Sequence, residues 1–156
     1  MAARMTALFV MALAGVEASA TSVELSSKDL ATAGRRTWDA MTCAGYAETA
    51  GYDAEQKRLS QLGVDEGRKF LQSLSDGKID PKDVESNVPI AVTLVIGGPS
   101  VDFVLGRIWE ASAEYAADRI WQKDSGAYDP AQAPDAEIRM TNAQRFYREA
   151  SCQSLR

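Results

Sequence analysis

Hydrophobic and polar positions follow a helical period along most of this chain. Apolar or small residues recur every three or four positions, and charged residues occupy the positions between them. That spacing places the apolar positions on one face of an α-helix. Four main helices are predicted, over Ser26 or Ser27 to Gly51, Asp53 to Ser75, Val101 to Lys123, and Pro134 or Asp135 to Cys152. The pattern therefore predicts an all-α fold, a single compact helical bundle with additional short helices.

The most apolar stretch runs from Val88 to Trp109, and we expect the other helices to cover it. Its Gly97–Ser100 segment, with two glycines and a proline, predicts a turn, after which Ser100 caps the next helix. The part before the turn, Val88–Ile96, is ambiguous. Its β-branched residues favour a strand, whereas Pro89 and the lack of a partner strand favour a short buried helix. We prefer the helix and keep the strand as the alternative.

Turn and cap residues divide the rest of the chain. Asp80 as a cap and Pro81 at the first helical position predict a one-turn helix through Glu85. Gly63 and Gly67 fall on the apolar stripe of the second helix. Because glycine weakens a helix, their position indicates that another backbone passes close to this stripe. A break between two shorter helices at Gly63 is the alternative.

The N-terminal segment Met1–Ala20 has the features of a secretory signal peptide. Arg4 gives a positive start, Thr6–Val16 is apolar, and Ala18-Ser19-Ala20 predicts cleavage before Thr21. The apolar run is too short for an ordinary membrane span of about twenty residues. A retained anchor is the alternative. We expect residues 21–156 to form one α-helical domain that is periplasmic or secreted and has no stable membrane span.

The chain has two cysteines, Cys43 and Cys152. In an exported protein, an even number of cysteines without metal-type spacing is most simply one disulfide. This bond would join the first helix to the last. The alternative is a pair of free thiols or a catalytic cysteine, although no histidine is present to activate a thiolate.

Composition limits the chemistry of the protein. The absence of histidine excludes Ser-His-Asp catalysis, Cys-His catalysis and ordinary zinc sites within this chain, and no dinucleotide or P-loop motif occurs. We therefore predict no cofactor and no bound metal. The net charge of −5 argues against a nucleic-acid surface and favours a basic protein partner.

An acidic ladder on the third helix is the main candidate for function. Glu110, Glu114 and Asp118 are spaced by four residues, so their like charges repel one another on one helix face. Compensation is expected from four arginines: Arg107, Arg139, Arg145 and Arg148. Three interpretations are a partner-binding face, a pair of acids for glycoside hydrolysis, and a calcium site. A straight helix disfavours the calcium site because it cannot wrap an ion.

The aromatic residues divide by position. Five are expected in the core: Trp38, Phe70, Phe103, Trp109 and Tyr115. Trp121 and Tyr128 fall near a helix end and a loop, where exposure would mark an interface. The buried face of the fourth helix is expected on Ile138, Phe146, Ala150 and Cys152.

Three segments and the terminal cysteine resemble a group of small exported bacterial proteins. The segments are CAGYAE, LGVDEGRKFL and VPIAVTLVIGGPSVDFVLGRIWEA. The resemblance covers most of residues 21–156 and implies an exported helical protein, with no activity and no functional residue to transfer. A weaker similarity is to periplasmic immunity proteins, which are likewise helical, exported and disulfide-bonded.

These observations together predict a protein that acts by binding and not by catalysis. The candidate partner-binding residues are Glu110, Glu114, Asp118, Trp121 and Tyr128. The alternatives are an immunity or inhibitor protein against a cell-wall enzyme or toxin, and a carboxylate-dependent glycoside hydrolase.

Overall fold

The described part of the protein is helical throughout. The computed structural model describes residues 24–121 and 135–156. In chain order the α-helices are α1 (Ser27–Thr49), α2 (Asp53–Ser75), α3 (Pro81–Asn87), α4 (Ile90–Thr93), α5 (Val101–Trp121) and α6 (Ala136–Glu149), followed by a 3₁₀-helix (Cys152–Ser154). No strand occurs in these two ranges. The predicted all-α fold is confirmed.

Local hydrogen bonds fix where the helices begin. Ser26 and Asp29 form a reciprocal capping box at the start of α1. The side-chain oxygens of Asp80, Ser100 and Asp135 each accept a hydrogen bond from a first-turn amide, at 2.9, 3.2 and 2.9 Å. Gly51 follows α1 with φ of +75°, a conformation that favours glycine. The caps predicted at Asp80 and Ser100 are confirmed, and α1 and α6 begin within two residues of the predicted starts at Ser26 or Ser27 and at Pro134 or Asp135.

The ambiguous segment Val88–Ile96 contains one helical turn. Four of its residues form α4, and the residues on either side are irregular. Pro89 precedes this turn and accepts hydrogen bonds from Val92 N and Thr93 N through its carbonyl oxygen. The helical interpretation is confirmed for this turn.

The centre of the fold is α1, and the expectation that the helices cover Val88–Trp109 is only partly confirmed: Val88, Val92, Val104, Leu105 and Ile108 are buried in the first core cluster, but part of the stretch is exposed. α1 packs against α2, α3, α5, α6 and the 3₁₀-helix. In the predicted central stretch, Ile90 and Leu94 are 76% and 75% exposed, whereas Val92 is fully buried. The stretch is apolar on all sides, but α4 has the rest of the bundle on one side only.

The core consists of two clusters that follow one another along α1. The first surrounds Met41 and Phe70, and the second surrounds Cys43, Leu59 and Phe146. Trp109 of α5 packs against both. Because α1 contributes residues to both clusters, the first and second halves of this helix hold different partners in place.

Small residues allow α1 to lie close to its neighbours. A Cβ atom added at Gly63 would come within 2.7 Å of Met41 Cγ of α1, and one at Gly67 would meet Leu105 Cδ2 of α5 and lie 3.0 Å from Thr37 Cγ2 of α1. α2 also continues through Gly63 without interruption. The predicted close approach of another backbone is confirmed at Gly63, where the added Cβ atom would lie 3.5 Å from Met41 N, whereas at Gly67 the nearest atoms belong to side chains. The alternative of a break at Gly63 is wrong.

A disulfide joins Cys43, in the middle of α1, to Cys152 at the start of the 3₁₀-helix. The Cα atoms are 5.6 Å apart, and both residues are buried in the second core cluster. The predicted pairing is confirmed. It connects the central helix to the end of the chain directly after α6.

Four residues predicted to be buried lie at the surface. Phe103 is 50% exposed, Tyr115 is 41% exposed, Ile138 is 50% exposed, and Ala150 is exposed. The apolar positions of α6 that are buried are Ala143, Phe146 and Tyr147, all in its second half. Periodicity identifies an apolar face, but that face is buried only where another helix crosses it.

None of the helices described here combines the length with the apolar character that crossing a membrane requires. The predicted signal peptide, Met1–Ala20, and the cleavage site before Thr21 lie outside the described residues.

Candidate functional site

The acidic face, defined by Glu110, Glu114 and Asp118, lies on successive turns of α5. All three side chains are exposed, and within the described residues none of them forms an ion pair. Like charges at this spacing oppose helix formation by a few tenths of a kcal/mol per pair, about the size of other exposed helix pairs. The acidic face therefore presents unneutralised negative charge to the solvent.

Three of the four arginines expected to compensate this charge have other contacts, and Arg148 is exposed and forms no ion pair with a described residue. Arg107 Nη1 donates a hydrogen bond to Gly97 O at 2.8 Å. The guanidinium of Arg145 lies 4.7 Å from the centre of the Phe146 ring, and that of Arg139 lies 5.7 Å from the Trp121 ring. These two cation–π contacts are favourable because the face of an aromatic ring carries a partial negative charge. The expected compensation is wrong in the described part of the chain.

A shallow groove of about 400 Å³ runs beside the acidic face. Glu114 and Asp118 line one side, and Trp38, Ile90 and Tyr115 supply aromatic and aliphatic surface. Ile90 and Tyr115 are among the most exposed large hydrophobic residues of the described chain. The groove thus combines negative charge with accessible apolar area.

The two aromatic residues predicted for the interface have different outcomes. Trp121 is half-buried and packs against the second core cluster, and Arg139 stacks on its ring. It contributes to packing at the end of α5. Tyr128 lies outside the described residues.

A second depression, the aromatic cleft, lies between α1, α5 and α6. Its volume is about 340 Å³, and its aromatic walls are Trp38, Tyr46, Tyr115 and Phe146. The rings of Trp38 and Tyr115 are 5.6 Å apart at 52°, and those of Tyr46 and Phe146 are 5.7 Å apart and stacked. These are ordinary separations for interacting rings, so the walls support one another.

Polar groups in the aromatic cleft are partly withdrawn from water. Burial raises the pKa of Asp39, an effect that the positive charge of Arg35 partly opposes. Burial also raises the pKa of Tyr46 to about 12. The hydroxyl oxygen of Thr42 is buried and has no hydrogen-bond partner. Arg119 and Glu149 complete the polar lining.

Asp39, Thr42, Tyr46 and Arg119 are not among the site residues predicted from the sequence. A partial signal exists, because Trp38, Thr42 and Tyr46 are spaced by four residues and lie on one face of α1. Tyr115 and Arg119 have the same spacing on α5, and Arg119 Nη1 lies 3.4 Å from the Tyr115 hydroxyl. The sequence contains these two faces, but their meeting depends on how α1 packs against α5.

The geometry of the acidic face can be compared with what glycoside hydrolysis and metal binding require. Glycosidases place two carboxyl groups on either side of the bond that breaks, whereas Glu110, Glu114 and Asp118 project from one exposed face of a single helix. Within residues 24–121 and 135–156, no three acidic or cysteine side chains are grouped so that they could hold a metal ion.

Comparison of the chain with protein-family models, with curated proteins and with solved structures found no match. The resemblance to small exported bacterial proteins therefore stays an expectation.

Proposed function

We propose that this chain is a non-catalytic, exported protein that binds a basic protein partner through the acidic face of α5 and the shallow groove beside it. The observation that supports this most directly is the absence of ion pairs at Glu110, Glu114 and Asp118 within the described residues. Unneutralised carboxylates attract a basic surface and accelerate its association.

The shallow groove supplies the second element of an interface. Charge at the rim directs encounter, but affinity comes mainly from aromatic and apolar anchors that are desolvated on binding. Tyr115, Trp38 and Ile90 offer such area directly beside Glu114 and Asp118. A basic partner with a protruding apolar side chain fits this combination.

Export to the periplasm is part of the proposal. The N-terminal pattern before Thr21 is typical of a signal peptide, and the disulfide between Cys43 and Cys152 requires an oxidising compartment to persist. Mass spectrometry of the natural protein tests this point: a first residue other than Thr21, or free thiols, would contradict it.

The binding proposal is tested by charge reversal on the acidic face. The variant Glu110→Lys/Glu114→Lys/Asp118→Lys is immobilised beside the wild-type protein and exposed to periplasmic extract. We expect the wild type to retain a basic protein that the variant loses, and we expect this capture to weaken as salt increases because exposed charges are screened.

A matched control separates the local effect from the change in total charge. The variant Glu48→Lys/Asp65→Lys/Glu85→Lys changes the charge by the same amount at exposed positions of α1, α2 and α3, and we expect it to retain the partner. Circular dichroism confirms that both variants are folded. Equal capture by both triple variants would disprove the role of the acidic face. The identity of the captured protein, for example a cell-wall enzyme or a toxin, tests the inhibitor hypothesis.

A further inference from the structure

The aromatic cleft contains polar groups that the protein itself does not satisfy. Thr42 is 6% exposed and its hydroxyl has no partner, whereas the other fully buried threonine of α1, Thr37, donates to Ala33 O at 2.8 Å. Asp39 is half-buried and forms no hydrogen bond or ion pair with any described residue. Buried polar groups are nearly always hydrogen-bonded, so the unpaired Thr42 hydroxyl in the cleft lining is a point where a ligand can supply the missing partner.

Opposite charges line this cleft without pairing. Asp39 belongs to α1 and Arg119 to α5. The Arg119 guanidinium lies 4.6 Å from the centre of the Phe146 ring and forms no salt bridge with Asp39 or with Glu149. A simple anion would be repelled by the two carboxylates, and a simple cation by the guanidinium. A ligand that has both charges avoids both repulsions.

The size and walls of the cleft restrict the ligand further. A volume of about 340 Å³ is at the lower end for small-molecule sites, which span roughly 300–1,000 Å³. Trp38, Tyr115 and Phe146 form aromatic walls that suit an apolar or aromatic body. These dimensions fit one amino acid or a dipeptide.

We propose that the aromatic cleft binds a small zwitterion, an amino acid or dipeptide with an apolar side chain, with its ammonium group at Asp39, its carboxylate at Arg119, and a hydrogen bond to the Thr42 hydroxyl. The aromatic walls enclose the side chain. This site does not include Glu110, Glu114 or Asp118, although Trp38 and Tyr115 line both the aromatic cleft and the shallow groove. Its occupation does not require a protein partner.

Isothermal titration with four probes tests the requirement for two charges. L-Phenylalanine and glycyl-L-phenylalanine have both charges, phenethylamine lacks the carboxylate, and 3-phenylpropanoate lacks the ammonium group. We expect at least one of the zwitterions to bind with Kd below about 1 mM and both single-charge analogues to bind at least about tenfold more weakly. Binding of neither zwitterion below about 1 mM, or equal binding of an analogue, would overturn the proposal.

Variants place the ligand in the cleft. Asp39→Asn and Thr42→Val should each weaken zwitterion binding, by about tenfold for the charged group. Thr42→Val should leave the melting temperature unchanged or raise it, because it removes an unpartnered hydroxyl at constant shape. Thr37→Val is the matched control: it removes a partnered hydroxyl outside the cleft lining and should not weaken binding. Unchanged affinity in both Asp39→Asn and Thr42→Val would refute this site.

The outcome is independent of the proposed protein partner. The titrations use the purified protein alone, and the Glu110→Lys/Glu114→Lys/Asp118→Lys variant has an unaltered cleft lining. Zwitterion binding that persists in this variant while partner capture is lost would show two separate sites. Loss of zwitterion binding in this variant would contradict the assignment to the aromatic cleft.

Discussion

At the scale of single residues, Glu55 shows how a side chain near a helix start holds distant parts of the chain together. Arg58 donates to Glu55 through Nε and Nη2, at 3.0 and 2.8 Å, and the Tyr147 hydroxyl donates to Glu55 at 2.5 Å. Arg58 also donates to the carbonyl oxygens of Leu155 and Cys152. One carboxylate on α2 thus organises contacts to α6 and to the C-terminal residues.

These hydrogen bonds make the stability of the protein depend on pH. The bond from Arg58, followed by that from Tyr147, lowers the pKa of Glu55 to about 2. A carboxyl whose folded-state pKa is below its unfolded value binds protons more readily when the chain unfolds. Its contribution is therefore complete above the ordinary value of 4.5 and is lost as pH falls from there through about 2.

We predict that Glu55→Gln lowers the free energy of unfolding at pH 7 by about 1 kcal/mol, a value reduced for solvent screening because the side chain is 36% exposed. The variant should also lose less stability than the wild type between pH 4.5 and 2. Urea denaturation at several pH values measures both effects. Glu48→Gln, at an exposed position near the end of α1, is the control and should retain the acid dependence. An unchanged acid dependence in Glu55→Gln would contradict this role.

At the scale of elements, the packing of α1 depends on small residues more than on large ones. Its buried positions include Ala31, Ala40, Ala44 and Ala47. A helix with this composition has a weak apolar stripe, so its sequence does not mark it as the centre of the fold. The physical advantage of small side chains is that neighbouring helix axes approach closely, which increases dispersion contacts along the whole length of the helix.

The substitution Gly45→Ala tests the close approach of α1 to α5. A Cβ atom added there would come within 2.9 Å of Ala116 Cβ, a methyl group fixed to the backbone of α5, so relief requires the helices to move apart. Overpacking of this kind costs about 1–3 kcal/mol, and improved helix propensity returns at most about 1 kcal/mol. We predict that Gly45→Ala reduces the free energy of unfolding by about 1 kcal/mol, within the range that these two effects leave.

Gly106→Ala on α5 is the matched control for this prediction. A Cβ atom at Gly106 meets nothing within 4 Å, so the substitution should stabilise the protein by about 0.5–1 kcal/mol through helix propensity alone. Thermal and urea denaturation of the two variants measure the difference. If both substitutions raised the free energy of unfolding, the contact between α1 and α5 would be looser than the distance at Gly45 implies.

At the scale of the whole molecule, the disulfide has a large effect because it closes most of the chain into one loop. Cys43 and Cys152 are separated by 109 residues. In the chain-entropy model, a bond that closes a loop of this length destabilises the unfolded state by about 4–5 kcal/mol, and removal of native disulfides typically costs about 2–5 kcal/mol. The bond also fixes the C-terminal residues against the second core cluster.

We predict that Cys43→Ala/Cys152→Ala remains helical and loses about 2–5 kcal/mol of unfolding free energy. Alanine is chosen because both positions are buried and a serine hydroxyl would be unsatisfied there. Guanidinium denaturation followed by circular dichroism measures the loss. The wild type in reductant should match the variant, and the variant itself should not respond to reductant. Equal stability of the oxidised and reduced wild type would contradict the prediction.

Agreement between sequence and structure depends on the range of the interactions involved. The starts of α1, α3, α5 and α6 were predictable because caps act on amides two or three residues away. The contact of Tyr147 with Glu55 spans 92 positions and has no local signature. The acidic face was also predictable, since residues four apart share a helix face. The aromatic cleft was not, because its walls come from separate helices.

The sequence by itself determined that this protein is helical, where most of its helices begin, and which two cysteines are bonded, because each of these follows from local hydrogen bonding, periodicity or a count of two. Only the tertiary structure decided that α1 is central, that Ile90 and Leu94 are exposed, and that Trp38 and Tyr115 form a cleft wall. The reason is physical. The hydrophobicity of a side chain gives the free energy gained when that side chain is buried. The packing of all the helices decides which side chains are buried.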